Sequence, residues 1–124
     1  MGTTTKSSRH AQNNVTTYSS SGTGDVAAAN PGFLMSGYAT NGGGSTVYLW
    51  ILDQAGAPAN GNTSNTLAPI AVPAGSTVPF TLNEETGDLW AGHAFASGLA
   101  WASSSSVSSV TLSGSLSVTF RFCQ

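Results

Sequence analysis

Charge is scarce in this sequence: 124 residues contain three Lys or Arg and five Asp or Glu. That balance is foreign to a cytosolic enzyme and suits an all-β coat or extracellular module, whose surface is held by packing and backbone pairing. The charges are also unevenly placed, with Lys6 and Arg9 in the first ten residues and Arg121 alone facing Asp25, Asp53, Glu84, Glu85 and Asp88. A body so short of cations offers no phosphate-neutralising surface, so no nucleic-acid partner is expected for the folded part. Cysteine is nearly absent: the single Cys123 excludes an internal disulfide, and an unreactive thiol is expected there. Long apolar runs are missing too. Nothing approaches the roughly 20 residues needed to cross a bilayer, and the polar N-terminal stretch has no apolar signal region, so no membrane partner is expected.

What the chain does contain is strand and turn chemistry. The longest apolar run, Thr46 to Asp53 (TVYLWILD), is rich in β-branched and aromatic residues and lies between the glycine loop Asn41 to Ser45 and the Pro/Gly/Asn loop Gln54 to Asn65. This is the profile of a central strand. Alternation places Val47, Leu49 and Ile51 on one face and Tyr48, Trp50 and Leu52 on the other. Both faces are apolar, so two covers are required. The first is a sandwich core, and the second is either a partner subunit or another part of the same chain.

Before this strand, residues 1–30 hold few large apolar side chains (Val15, Tyr18 and Val26), too few to offset the ordering entropy of a packed element. They are expected to form an arm, flexible or ordered against a partner through Lys6, Arg9 and His10, ahead of a β-sandwich domain at 31–124. Phe33 to Ala39 is expected to be the first strand, with Phe33, Met35 and Gly37 on one face. The loop after TVYLWILD is long enough to cross between sheets. Leu67 to Val72 and Thr77 to Leu82 follow as strands; Pro69 places the first at a sheet edge or marks a strand end, and Pro79 marks the second as an edge. Phe95, Leu99 and Trp101 share a phase opposite small residues. Val107 to Leu112 and Leu116 to Phe122 are expected to be the last two strands. The predicted fold class is all-β, an antiparallel β-sandwich or jelly roll of about eight strands with an extended N-terminal arm.

Catalytic patterns are weak. His93 is the only body histidine, and a trio with Asp88 and a serine arises by chance in so serine-rich a chain. Glu84, Glu85 and Asp88 share one short loop, which fits a solvated turn better than a glycosidase pair or a Ca²⁺ site. One histidine and one cysteine in separate regions do not make a zinc site. Asn41 to Gly44 has no following helix to hold a phosphate. No enzyme, metal or cofactor is therefore expected. A binding platform is the rival reading, since Trp50, Trp90 and Trp101 could stack on a glycan, with Trp90 beside a loop.

Three blocks, TVYLWILDQAGAPANG, PIAVPAGSTVPFTL and FASGLAWASSSSVSSVTLSG, together with their spacing over residues 46–114, resemble small β-sandwich structural proteins of tailed bacteriophages. The resemblance implies a non-enzymatic virion protein. Its form would be a capsid cement or decoration protein that bridges capsomers as a homo-oligomer, with a trimer favoured and the major capsid protein or another virion protein as partner. The alternatives are a collar, tail or fibre component, or a glycan-binding module for host attachment. Lys6, Arg9, Tyr48, Trp50, Leu52 and Trp90 are the candidate interface residues.

Overall fold

A computed structural model describes residues 15–64, 67–82, 85–86 and 90–124, with backbone alone at 85–86 and 90–91. The described residues form eleven strands and no helix. Two antiparallel sheets face one another. The five-stranded sheet runs β1 (Val15–Gly22), β11 (Leu116–Cys123), β3 (Gly32–Thr40) and β6 (Thr77–Thr81), with β9 (His93–Phe95) pairing the start of β3. The four-stranded sheet runs β2 (Gly24–Ala28), β10 (Leu99–Ser104), β4 (Val47–Leu52) and β5 (Ile70–Val72). A small hairpin, β7 (Glu85–Thr86) with β8 (Trp90–Ala91), stands apart. With that hairpin and β9 set aside, the chain enters eight strands whose orders are first-eighth-third-sixth and second-seventh-fourth-fifth. This is the wrapped double Greek key of a jelly roll.

Alternation dictates the core. In β11 the buried Leu116, Val118, Phe120 and Phe122 alternate with Ser117, Thr119 and Arg121, and Val47, Leu49 and Ile51 of β4 meet them from the opposite sheet. Phe95, Leu99 and Trp101 join the same core, as the shared phase predicts. Gly37 has no side chain because none fits. A Cβ there would lie 2.4 Å from the Thr119 carbonyl oxygen and 2.7 Å from the Phe80 ring, so glycine lets Phe80 and Phe120 approach to 6.1 Å between ring centres. Pro79 does lie on the edge strand of its sheet, and the strand that follows Pro69 is likewise an edge.

Four expectations are corrected. Residues 15–28 are not an arm: β1 pairs with β11 over eight consecutive residues, and β2 pairs with β10. In β3 the pairing shifts between Leu34 and Ser36, so Met35 is the extra residue of a bulge and the faces exchange. Leu34 and Gly37 therefore point inward and Tyr38 outward. The loop after β4 does not cross between sheets, because β4 and β5 are antiparallel neighbours. Finally, residues 107–112 make a loop with a single bridge, Ser104 to Leu112, and no strand.

Those two loops supply the second cover of β4. Gly61 N–H donates to the Val110 carbonyl at 2.8 Å, Val110 N–H to the Asn62 carbonyl at 2.9 Å, and Leu112 N–H to Asn60 Oδ1 at 2.8 Å. Joined in this way, they lay Val110 and Leu112 over Trp50, Leu52, Ala100 and Ala102 on the outer face of the four-stranded sheet. The small residues opposite Leu99 and Trp101 thus make room for an intrachain lid. Among the described residues no helix is long and apolar enough to cross a membrane.

Candidate functional site

Among the described residues no such apolar lid joins the outer face of the five-stranded sheet. The residues of that face follow from the register, since partners directly opposite in an antiparallel pair share a side. One row runs Ser21, Ser117, Thr40, Thr77, the next Ser19, Thr119, Tyr38, Pro79, and the third Thr17, Arg121, Ser36, Thr81. Nine of these twelve positions are Ser or Thr. Cross-strand hydroxyl pairs join Ser19 to Thr119 at 3.0 Å, Ser21 to Ser117 at 3.0 Å and Thr40 to Thr77 at 2.8 Å. Tyr38, in the middle row, is 47% exposed. Arg121 is the only Lys or Arg among the described residues and is also exposed.

At one end the face runs into an open depression of about 410 Å³, lined by Thr40, Gly42, Gly43, Ser115 and Ser117. Its glycine loop is fixed by the buried Asn41. The Asn41 Nδ2 group donates to the carbonyls of Ser45 (2.8 Å) and Val72 (2.9 Å), and Oδ1 accepts from Gly43 N–H at 2.8 Å. Its backbone exchanges bonds with Ser76 and Gly75. Five hydrogen bonds on one residue make this loop a rigid rim. The surface can therefore offer neutral hydroxyls, one aromatic ring and one guanidinium from a preorganised frame.

The expected interface residues are dispersed. Trp50 is 2% exposed and Leu52 fully buried, both beneath the lid, with Trp50 Nε1–H donating to the Ser106 carbonyl at 2.8 Å. Their assignment to an intermolecular surface is therefore withdrawn, because the chain covers them itself. Tyr48 is half-buried at the margin of the same cluster. Trp101 is fully buried, and its Nε1–H donates to Tyr18 Oη at 3.1 Å. With Trp50 and Trp101 inside, a three-tryptophan platform does not exist. The Trp90 side chain, Lys6, Arg9, His10, Glu84 and Asp88 lie outside the described residues, and Glu85 is described by backbone only. Among the described residues no three His, Cys, Asp or Glu side chains gather as metal ligands.

Two groups of the kind that carries chemistry are occupied structurally. Burial pushes the Asp53 carboxyl up, but the N–H groups of Ala96 (2.9 Å), Ser97 (2.8 Å) and Gly98 (3.3 Å), aided by His93, outweigh it and hold the pKa below the ordinary value. The carboxylate is thus the clasp of the turn between β9 and β10. Cys123 is buried, and desolvation raises its thiol pKa against a smaller opposing bond from the Phe33 backbone.

Tyr38 escaped the sequence reading because the Met35 bulge reversed the phase of β3. The signal available was the flanking pattern Ser36, Gly37, Ala39, Thr40, which leaves Tyr38 as the only bulky residue after the bulge. The chain matches no protein-family model, no curated protein and no solved structure.

Proposed function

We propose that this chain is a non-enzymatic virion structural protein that decorates a capsid as a homo-oligomer and docks on the major capsid protein or another virion protein through the outer face of its five-stranded sheet. The observation that carries this reading is the face itself: Tyr38 and Arg121 within a field of Ser and Thr hydroxyls, with no carboxylate among its twelve positions. Six of its hydroxyls already pair with one another, which lessens the cost of desolvating them, and the exposed Tyr and Arg are the residue types that anchor interfaces, Arg121 requiring an acceptor on the partner. The resemblance of residues 46–114 to phage structural proteins supplies the partner, and favours a trimer.

The test is co-sedimentation with emptied capsids. Tyr38→Ala with Arg121→Ala should abolish binding and leave the melting temperature within a few degrees of wild type. Full binding by the double variant would remove this face from consideration.

A glycan-binding module is the second reading, favoured by Tyr38 beside the hydroxyl-lined depression. Because Trp50 and Trp101 are buried, the measurement is calorimetry with host polysaccharide. Heat that disappears in Tyr38→Ala, with no capsid binding, would select it.

A further inference from the structure

Sheet edges invite pairing, and folded proteins blunt them with prolines, charges, bulges or brevity. Most edges of this sandwich are blunted in these ways. β6 carries Pro79 within its five residues. β5 and β9 are three residues each, and Pro73 follows β5 at once. β2 carries Asp25, and its pairing with β10 breaks at a bulge. β1 has none of these devices. It is eight residues long (VTTYSSSG), has neither proline nor charge, and runs beside β11 through eight consecutive pairs without a shift. Among the described residues β11 is its only paired strand, and Thr16, Thr17, Ser19 and Ser21 are exposed.

The edge is also held ready. Tyr18 is anchored to Trp101 Nε1–H and stacked on Phe120 at 6.1 Å, while Ser19 and Ser21 are tied to Thr119 and Ser117. A strand fixed in this way loses little entropy on pairing.

We infer that β1 is a self-association edge, at which the β1 strands of two copies pair antiparallel about a two-fold axis and fuse their five-stranded sheets into one of ten strands. A second copy is the occupant that suits its chemistry. A two-fold contact sets a strand against itself, so a charge near the axis would meet its like, and β1 has none anywhere along its length. The outward Thr17, Ser19 and Ser21 of one copy would then face those of the other, repeating the hydroxyl pairing already made across β1 and β11. The pair leaves Tyr38 and Arg121 free for a virion partner. A three-fold contact elsewhere would bring the assembly to six chains, so an even number is expected in either case.

The experiment is light scattering of the full chain combined with hydrogen exchange. An even-numbered mass is expected, with slow exchange at alternate β1 amides that becomes fast on dilution to monomer. Thr17→Glu places an acid opposite Arg121, which suits the fold, and on the edge of each copy, which opposes pairing. It should weaken association about tenfold or more at an unchanged melting temperature. Single cysteines at Thr17, Ser19 and Ser21, in a Cys123→Ser background, should be joined between copies by a short bis-maleimide, which spans directly opposite and diagonal neighbours alike, for at least one position. A monomer or trimer overturns the inference. So does an even-numbered assembly whose β1 amides exchange freely, whose mass ignores Thr17→Glu, or which gives no cross-link. Capsid binding is read separately, so either proposal can fail alone.

Discussion

Trp101 Nε1–H, fully buried in β10, donates to Tyr18 Oη across the sandwich at 3.1 Å. This bond fastens the first described strand to the middle of the opposite sheet. It supplies the indole with the polar partner that a buried tryptophan requires. Tyr18→Phe leaves that N–H unsatisfied and should destabilise the fold by about 1–3 kcal/mol in denaturant unfolding. Stability equal to wild type would mean that another acceptor reaches the indole.

Truncation separates the arm expected from sequence from the strands that were found. Removing residues 1–14 retains every described strand and should leave a cooperative melt. Removing 1–28 deletes β1 and β2 and should abolish it. A folded 29–124 fragment would show that both strands are dispensable.

Trp50→Ala should cost about 3–5 kcal/mol through the cavity it opens under Val110 and the lid. The mass of the assembly should not change, because the side chain is covered within one chain. A change in mass at wild-type stability would return Trp50 to an interface.

The Asp53 clasp makes stability depend on pH in a definite direction. Its folded pKa lies below the unfolded one, so its contribution is complete above the ordinary aspartate value of about 3.9 and disappears as pH falls through the lower folded value. Asp53→Asn should therefore melt earlier than wild type at neutral pH, with the gap closing in strong acid. A gap that stays constant down to low pH would assign the loss to geometry alone.

Cys123 is 3% exposed and has a raised pKa. Native protein at mildly alkaline pH should react with thiol reagents far more slowly than protein in denaturant. Equal rates would place the C-terminal end of β11 in solvent.

The architecture was legible wherever alternation was strong. Val47, Leu49 and Ile51, the even positions of β11 and the edge prolines all convey their environment through local pattern. β1 was hidden because a strand at the margin of a sheet needs only Tyr18 to contribute to the core, and its other residues resemble those of a linker. The Met35 bulge was hidden because one inserted residue inverts a face without altering composition. The lid was hidden because it depends on backbone bonds between loops about fifty residues apart, such as Gly61 with Val110. Tyr38 became visible as a surface residue only once the bulge had set its direction.

The position of β11 sets the distance over which the sheet must close. β11, the last of the described strands, occupies the slot between β1 and β3. Ser19 of β1 and its partner Thr119 of β11 are 100 residues apart in sequence. Closing the five-stranded sheet is therefore a long-range step, and pairings of that kind form slowly because the loop-closure entropy is lost before the contacts are gained.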